Sequence, residues 1–127
     1  VLLVEDNSVN AMVAEAAIIE LGLTVSLVVN GQQALDVLTH GPHDFDLVLM
    51  DCQMPVLDGI EATRRLRAHE LDTGSPNVPV IALTANAMPH DRQRCASAGM
   101  DDHLTKPFKQ EELAAVLRRH LHTVLTA

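Results

Sequence analysis

Short apolar segments alternate with segments of helical periodicity five times along the 127 residues of this chain. The apolar segments are too short for helices and are rich in Val, Leu and Ile, which is typical of buried strands. The predicted strands are residues 1–4, 24–29, 46–50, 80–83 and 102–105. The predicted helices are residues 8–21, 32–39, 59–69, 87–98 and 109–125. Because strands that alternate with helices form right-handed βαβ units, the pattern predicts an α/β fold whose parallel sheet is covered on both faces.

Turn and cap residues support these boundaries. Gly22 and Gly99 are expected to end the first and fourth helices, since glycine favours the left-handed conformation that follows a helix. Asn30 and Asp58 are predicted N-caps of the second and third helices, because their short side chains can accept hydrogen bonds from the first helical turn.

The composition restricts the class of protein. A length of 127 residues and a hydrophobic content of 47% fit one domain, residues 1–127, and exclude a disordered chain. The net charge of -8 argues against direct binding to nucleic acid or anionic lipid, and the basic cluster Arg64-Arg65-Arg67 is interpreted as a solvated helix face. No apolar run approaches the length of about 18 residues that a membrane span needs. The chain opens in a strand without an initiator Met, so we expect a domain taken from a longer protein.

The two cysteines, Cys52 and Cys95, are far apart in sequence, and no metal-binding or redox spacing links them. We therefore expect free thiols in a reducing cytosol. Cys52 follows an acidic residue at a strand end and could be reactive, but ordinary packing in a loop is the favoured interpretation.

Acidic residues follow two of the predicted strands. Asp51 comes directly after Leu47-Val48-Leu49-Met50, and Glu5-Asp6 follow the first strand. In open parallel sheets the carboxyl ends of the strands meet at the edge where ligands bind. Carboxylates gathered there repel one another, so the arrangement needs a cation, and oxygen ligands suit Mg²⁺.

Two further strand ends add groups that suit phosphate chemistry. Thr84 and Lys106 each directly follow a predicted strand and therefore join Asp6 and Asp51 at this edge. A Lys ammonium and a Thr hydroxyl can hold phosphate oxygens, and Asp51 can act as a carboxylate nucleophile that forms an aspartyl phosphate. The sequence therefore predicts phosphoryl transfer that works mainly by positioning and charge neutralisation.

Four motifs in this order resemble the receiver (response-regulator) domains of two-component signalling, and the resemblance covers essentially the whole chain. The motifs are Val4-Glu5-Asp6-Asn7, Met50-Asp51-Cys52-Gln53-Met54-Pro55 with Asp58-Gly59, Ala82-Leu83-Thr84-Ala85-Asn86-Ala87 and Lys106-Pro107-Phe108. The resemblance implies a doubly wound, flavodoxin-like (βα)5 fold with a five-stranded parallel sheet of order 2-1-3-4-5. It also implies that the domain takes a phosphoryl group from a phosphohistidine and relays or signals it by conformational switching.

The resemblance implies a role for each matching residue, with Asp51 as the phosphoacceptor. The implied ligands of Mg²⁺, or of Mn²⁺, are the side chains of Asp6 and Asp51 and the backbone carbonyl of Gln53, with help from Glu5. The implied phosphate-binding groups are Thr84, the backbone N–H of Ala85 and Lys106. The peptide bond between Lys106 and Pro107 is expected to be cis.

One position departs from the family pattern. The residue three before Lys106 is usually aromatic in these domains and follows the Thr84 hydroxyl inward on phosphorylation, whereas here it is His103. An imidazole is smaller and can titrate near neutral pH. We expect His103 to make a similar swing, with Thr84 and His103 as the two switch residues.

The run from Met50 to Arg64 and the segment Asn7-Ser8-Val9-Asn10 are most similar to the C-terminal receivers of hybrid sensor histidine kinases. This similarity implies a histidine kinase or a histidine phosphotransfer domain as the phosphodonor, with no direct contact to nucleic acid or membrane. It also implies a cytoplasmic location, either in a soluble protein or in the cytoplasmic part of a membrane-anchored kinase. Such a domain catalyses its own phosphotransfer and dephosphorylation, and its parent is expected to be a hybrid kinase.

The first helix is apolar over more than one face. The residues assigned to the core are Val13, Ala17, Ile18 and Leu21. Met12 and Ile19 form a second stripe, which is either additional buried surface or a docking site for the helical phosphodonor.

Two alternatives to an active receiver have sequence requirements of their own. A phosphorylation-independent binding module with this fold typically lacks an acid, the Thr or the Lys, and all of these are present here. A flavodoxin-like enzyme needs a Gly- or Thr-rich phosphate loop, and a haloacid-dehalogenase-type phosphatase needs a second Asp two residues after the nucleophile, where this chain has Gln53. Asp101-Asp102 are placed in a solvated turn, and no histidine metal site is expected.

Overall fold

Five strands and five helices alternate along the residues that the computed structural model describes, 1–40, 45–52, 58–84, 89–106 and 108–121. The strands are β1 (Leu2–Val4), β2 (Ser26–Val28), β3 (Val48–Asp51), β4 (Val80–Thr84) and β5 (Asp102–Thr105). The helices are α1 (Ser8–Glu20), α2 (Gly31–Thr39), α3 (Gly59–Thr73), α4 (Pro89–Ala98) and α5 (Gln110–His120). The predicted alternation of strands and helices is confirmed.

The strands form one parallel sheet in the order β2-β1-β3-β4-β5. Leu3 of β1 pairs with Leu27 of β2 on one side and with Leu49 of β3 on the other. The strand order changes direction between β1 and β3, and ligand sites in open α/β sheets form at such a switch point. The topology confirms the doubly wound, flavodoxin-like fold.

The sheet separates two buried layers. Leu49 and Met50 are neighbours on β3 but pack into opposite layers, because successive side chains of a strand point to opposite faces. One layer packs against α2, α3 and α4, and the other packs against α1 and α5. Burial of each large aliphatic side chain contributes about 1.5–3 kcal/mol, so the two layers hold both sets of helices against the sheet.

The starts of α1, α2 and α3 are fixed by side-chain caps. Asn30 Oδ1 accepts a hydrogen bond of 2.8 Å from the backbone of Gln33, and Asp58 Oδ1 accepts one of 2.8 Å from Glu61. These two predicted caps are confirmed. Asn7 caps α1 in the same way, which places the start of this helix directly after the acidic end of β1.

Helix α3 is longer than predicted. It continues to Thr73 and ends at Gly74, which has a φ of 68°, rather than ending at residue 69. The extension is held by Glu70, whose carboxylate accepts hydrogen bonds from Arg67 and from the backbone of Val78. A tertiary contact therefore extends the helix beyond the point at which the apolar pattern becomes unclear.

The other element boundaries differ by smaller amounts. Strand β2 is shorter than the predicted 24–29, and α4 begins at Pro89, with residues 87 and 88 outside the described part of the chain. The described part of α5 ends at His120, and Leu121 is extended. The predicted continuation of this helix over 122–125 lies outside the described residues.

Two surface assignments from the sequence, those of Arg67 and Asp102, are wrong. Arg67 is not solvated, because its guanidinium donates hydrogen bonds to Glu70, Asp101 and the carbonyl groups of Gly99 and Val78. Asp101 is exposed in the connection before β5, as predicted, although its carboxylate also accepts from the backbone of Val80, whereas Asp102 is partly buried at the start of β5. Ion pairs between residues distant in sequence hold Arg67 and Asp102 in place, and local sequence carries no signal for them.

Helix α1 also differs from the sequence assignment. Ile18 and Leu21 are buried and Ala17 is partly buried, as predicted, but Val13 is 59% exposed and does not belong to the core. The core positions of the first turns are taken by Ala11 and Ala14 instead. In its first turns, α1 is therefore rotated so that small residues face the sheet and larger apolar residues face solvent.

Candidate functional site

Three carboxylates meet at the carboxyl ends of β1 and β3. Because Val4 pairs with Met50, the residues that follow each of them, Glu5 and Asp51, are brought side by side. Glu5, Asp6 and Asp51 can each offer an oxygen within 4.8 Å of the others. Glu5 is 2% exposed and Asp51 is 5% exposed, whereas Asp6 is exposed to solvent. The arrangement is an acidic pocket that is open on the side of Asp6.

One ammonium group faces the two buried acids. Lys106 Nζ lies 3.2 Å from Glu5 Oε2 and 3.4 Å from Asp51 Oδ2. The backbone N–H of Lys106 donates to the carbonyl oxygen of Thr84, which holds the end of β5 against β4. The other carboxylate oxygen of Glu5 accepts from the backbone N–H of Asn7 at 3.2 Å.

The pKa values of this cluster record an excess of negative charge. Burial raises the pKa of Glu5, and its hydrogen bond and charge interaction with Asp51 raise it further. Burial alone would lower the pKa of Lys106, but the charges of Asp51 and Glu5 outweigh burial and the pKa rises. A single Lys therefore does not neutralise the site, and an added cation would be bound favourably.

The donor set fits a hard cation. Carboxylate oxygens are the ligands that Mg²⁺ prefers, and the ion usually keeps several waters. Glu5, Asp6 and Asp51 supply such oxygens at one edge, and Asp6 leaves a side open to solvent. The remaining ligand group expected from the family, the backbone carbonyl of Gln53, lies outside the described residues.

A buried hydroxyl completes the edge. Thr84 ends β4 next to β3, and its Oγ1 is buried with no hydrogen-bond partner among the residues that the structure describes. A buried polar atom without a partner costs about 1–3 kcal/mol. A phosphoryl oxygen placed beside Asp51 and Lys106 would supply a partner for this hydroxyl. The other expected groups, the backbone N–H of Ala85 and the Lys106–Pro107 peptide bond, involve residues outside the described part of the chain.

His103 lies on the same face of the sheet as Thr84. It pairs with Ala82, which lies two residues before Thr84 on β4, whereas the next residue, Leu104, packs into the opposite layer. The imidazole is partly exposed, and its Nδ1 lies 3.8 Å from Asp102 Oδ1. The His103 ring is therefore partly open to solvent and close to Asp102, and it is not buried beneath the acidic pocket.

Asp102 anchors β5 to α5. Its Oδ2 lies 3.0 Å from Arg119 Nη1 and 3.1 Å from His120 Nε2, and its Oδ1 accepts from the backbone N–H of His103. Burial alone would raise the pKa of Asp102, but the hydrogen bonds from His103, His120 and Arg119 outweigh it and the pKa is lowered. The carboxylate is therefore fixed in its charged form beside the expected switch residue.

Two features of the site were not predicted from the sequence. Gly59 packs so closely beneath Asp51 that a Cβ would overlap the Asp51 carbonyl oxygen, and only its place in the Asp58-Gly59 motif gave a signal. The thiols of Cys52 and Cys95 are in contact at 3.4 Å, which no sequence spacing indicated. Burial raises the pKa of Cys52, and the nearby Cys95 and Asp51 raise it further, so this thiol is protonated at neutral pH.

An apolar patch lies on α1, next to the acidic pocket. It consists of Val9, Met12, Val13 and Ile19, all of which are exposed. Of the two interpretations of the second stripe, additional burial is therefore wrong for Met12 and Ile19. The patch begins one residue into the helix that starts just after Glu5 and Asp6.

The described helices include none that combines the length and the apolar character needed to cross a bilayer.

A family model for the response regulator receiver domain matches residues 1–118. The sensor protein GacS of Pseudomonas syringae pv. syringae is 39% identical over 117 residues, which are 92% of this chain. The chain corresponds to 13% of the length of GacS.

Two solved structures share the fold closely. The receiver domain of the sensor histidine kinase PA1611 from Pseudomonas aeruginosa PAO1, with a magnesium ion in its active site cleft, has a TM-score of 0.84. It is 49% identical, with 96% of each chain covered. The receiver domain of Ssk1 from Saccharomyces cerevisiae, crystallised with the histidine phosphotransfer protein Ypd1, has a TM-score of 0.86 at 31% identity, covering 94% of this chain and 86% of that chain. The strand order, the acidic pocket and these matches together show that the chain belongs to the response regulator receiver domain family.

Proposed function

We propose that this domain accepts a phosphoryl group from a phosphohistidine onto Asp51 in a Mg²⁺-dependent reaction and passes it on or signals it by a change of conformation. The observation that carries the proposal is the convergence of three carboxylates, one Lys and one Thr at the switch point of the sheet. Asp51 lies 3.4 Å from Lys106, and it pairs with Leu83 on β4, next to Thr84 at the end of that strand. Asp51 is thus the carboxylate around which the phosphate-binding groups are arranged.

The proposed reaction uses these groups as follows. A carboxylate oxygen of Asp51 attacks the phosphorus atom, the P–N bond to the donor imidazole breaks, and the imidazole nitrogen takes up a proton. Lys106 moves its interaction from the Asp51 carboxylate to a phosphoryl oxygen, and Thr84 donates its hydroxyl hydrogen to another. Glu5, Asp6 and Asp51 would hold Mg²⁺, which supplies charge neutralisation for the incoming phosphoryl group. Close packing of the Asp51 backbone on Gly59 helps to fix the position from which the carboxylate attacks.

Intact-mass measurement tests the proposal. Incubation with acetyl phosphate and Mg²⁺ is expected to add the mass of one phosphoryl group, and EDTA or Asp51→Asn is expected to abolish the gain. Asp58→Asn is a matched control, because Asn caps helices as well as Asp does, and it should be phosphorylated normally. An unmodified wild-type protein, or equal labelling of Asp51→Asn, would contradict the proposal. The first result would favour a binding module that is independent of phosphorylation.

The donor is proposed to be a histidine phosphotransfer domain or a histidine kinase that docks on the α1 patch. Val9 and Met12 lie in the first turns of α1, and this helix starts beside Glu5 and Asp6. A helical partner that covers the patch would therefore bring a histidine close to Asp51. The co-crystal of the Ssk1 receiver with Ypd1 supports a partner of this class.

A pair of surface variants tests the docking site. Ile19→Lys should slow phosphotransfer from a phosphorylated histidine phosphotransfer protein at least several-fold, while phosphorylation by acetyl phosphate is unchanged. Leu71→Lys is the matched control, since Leu71 is 84% exposed on the last turn of α3, at the end of the helix away from Asp51. Equal transfer rates for the two folded variants would exclude the patch as the docking site.

The output is proposed to pass through Thr84 and His103. Inward movement of the Thr84 hydroxyl towards the phosphoryl group leaves space on the face of the sheet that His103 shares, and the imidazole can then leave Asp102. The NMR chemical shifts of the His103 ring should change on phosphorylation of wild type and should stay unchanged in Thr84→Ala; equal changes in both proteins would exclude this route. The parent protein is proposed to be a hybrid histidine kinase in which this domain lies in the cytoplasm, where phosphohistidine donors and Mg²⁺ are available.

A further inference from the structure

We propose that Cys52 and Cys95 form a reversible intramolecular disulfide under a peroxide oxidant, and that this bond restrains the phosphoacceptor edge. The disulfide follows from the geometry of the two thiols alone. Its effect on phosphorylation rests on the function proposed above.

The two sulfurs are already in contact. Cys52 Sγ and Cys95 Sγ lie 3.4 Å apart, although 43 positions separate the residues in sequence. A disulfide needs a sulfur–sulfur distance of about 2 Å. The sulfurs must therefore approach by little more than 1 Å, roughly the amplitude of ordinary side-chain motion.

The two thiols differ in access, which assigns their chemical roles. Cys52 is partly exposed at the strand end that carries Asp51, whereas Cys95 is only 4% exposed within the layer against α4. Cys52 can therefore meet a small oxidant, and Cys95 can be reached by Cys52 but hardly by solvent. On exposure alone, Cys52 is assigned as the cysteine that meets the oxidant and Cys95 as the cysteine that resolves the sulfenic acid.

The reaction balances with hydrogen peroxide as the two-electron oxidant. The sulfur of Cys52 attacks one oxygen, the O–O bond breaks, and the leaving hydroxide takes a proton to become water. The sulfur of Cys95 then attacks the sulfur of the Cys52 sulfenic acid, and the hydroxyl group leaves with a proton as a second water. Two thiols and one peroxide thus give one disulfide and two waters. Because burial keeps Cys52 protonated, oxidation should be slow and should need sustained exposure to peroxide.

The bond would join two elements that serve the site. The backbone of Cys52 is fixed on both sides, since its N–H donates to the carbonyl of Leu83 and its carbonyl accepts from the N–H of Gly59. Cys95 lies in the middle of α4. A disulfide would therefore tie α4 to the rigid end of β3, next to Asp51. The bond would oppose any movement of α4 relative to β3 that accompanies phosphorylation of Asp51, and it would therefore slow that reaction.

The disulfide is tested with four forms of the full chain: wild type, Cys52→Ser, Cys95→Ser and the double variant. After peroxide treatment and alkylation of free thiols under denaturing conditions, wild type is expected to be lighter by two hydrogen atoms and to carry no alkyl group. Dithiothreitol should restore both alkylation sites. Cys95→Ser should accumulate a sulfenic acid at Cys52 that reacts with dimedone, whereas Cys52→Ser should stay largely unmodified. Two alkylated thiols in treated wild type, or disulfide-linked dimers in place of the monomeric product, would overturn the proposal.

The effect on the site is measured by phosphorylation with acetyl phosphate and Mg²⁺. Oxidised wild type is expected to be phosphorylated several-fold more slowly than the reduced protein, and the double Ser variant should be insensitive to peroxide. Equal rates for the reduced and oxidised protein would overturn the restraint. If the reduced protein is not phosphorylated at all, the proposed function fails, whereas the disulfide is still decided by mass alone.

Discussion

Glu5 and Glu70 are both almost fully buried carboxylates, at opposite ends of the sheet, but their surroundings differ. Glu70, which is 3% exposed, accepts hydrogen bonds from Arg67 at 2.7 Å and from the backbone of Val78 at 2.9 Å. Glu5, which is 2% exposed, shares one Lys with Asp51 and lies against another acid. The carboxylate of Glu70 is matched by its partners, whereas the cluster around Glu5 keeps an excess of negative charge.

This difference distinguishes charged groups that stabilise the fold from charged groups that are available to bind a ligand. At the Glu70 end, Arg67 also binds Asp101 and two backbone carbonyls, so it holds α3 to the start of β4 and to the turn before β5. At the Glu5 end, the hydroxyl of Thr84 is buried without a hydrogen-bond partner among the described residues, and the pKa of Glu5 is raised. A bound ligand would satisfy these groups better than their present neighbours do. Buried ionisable groups therefore indicate a site only when their partners are incomplete.

The largest expected loss of stability comes from removing Arg67, the cationic partner of Glu70. Arg67→Ala leaves Glu70 buried without its cation and should lower the free energy of unfolding by about 3–5 kcal/mol. Arg64→Ala, on the exposed face of the same helix, should change it by less than about 0.5 kcal/mol. Urea unfolding followed by circular dichroism measures both variants. Similar unfolding midpoints for them would show that the Arg67 network does not stabilise the fold.

Neutralising Glu70 and neutralising Glu5 should have different effects on the free energy of unfolding. Glu70→Gln loses charge-assisted hydrogen bonds and should lower the free energy of unfolding by about 1–3 kcal/mol. Glu5→Gln should leave the stability without Mg²⁺ unchanged or slightly higher, because it relieves repulsion with Asp51. The same variant should bind Mg²⁺ about 10–100-fold more weakly.

Thermal unfolding with and without Mg²⁺ distinguishes these outcomes, since a ligand at ten times its Kd stabilises by about 1.4 kcal/mol. Wild type and Glu70→Gln should both gain stability from Mg²⁺, and Glu5→Gln should gain much less. A loss of stability in Glu5→Gln without Mg²⁺ would remove the contrast between the two ends of the sheet.

Removing a helix cap should change the free energy of unfolding by a smaller amount at either end of the sheet. Asp58→Ala, at the site end of α3, should lower the free energy of unfolding by about 1 kcal/mol and leave phosphorylation by acetyl phosphate intact. Asn30→Ala, which caps α2, should have a similar cost. A loss of phosphorylation in folded Asp58→Ala would show that Asp58 belongs to the acidic pocket.

The dependence of stability on pH should show the smallest effects, with opposite signs. The pKa of Glu5 is raised above its ordinary value of 4.5, so the folded state holds this proton longer and loses stability as the pH rises from 4.5 through the raised pKa. The pKa of Asp102 is lowered below 3.8, so its stabilising contribution is complete above 3.8 and is lost as the pH falls through the lowered pKa.

Stability curves for Glu5→Gln and Asp102→Asn check these two windows. The difference between wild type and Glu5→Gln should develop only above pH 4.5, and the difference between wild type and Asp102→Asn should vanish at the acid end. Mg²⁺ affinity should fall as the pH is lowered through the raised pKa of Glu5, because the proton and the cation compete for one carboxylate. An affinity that is independent of pH in that range would exclude Glu5 from the cation site.

The fold and the edge that carries the site were predictable because they depend on short-range patterns. Apolar segments such as Leu47 to Met50 indicate buried strands, and in a parallel sheet the residues that follow the strands must meet at one edge. Asp51 and Glu5 could therefore be placed together without coordinates. The extension of α3 to Thr73, the clamp of Arg67 and the exposure of Val13 could not be predicted, since each depends on partners that are distant in sequence.

The sequence by itself determined the order of strands and helices, the acids at the strand ends and the family to which they belong, because periodicity and local motifs carry this information. Only the tertiary structure decided which charges are matched. It placed Arg67 against Glu70 and left Glu5 to share Lys106 with Asp51. It also brought the thiols of Cys52 and Cys95 into contact. Such pairings depend on how helices pack across the sheet, and the free energy of a buried charge or thiol is set by its spatial neighbours rather than by its neighbours in sequence.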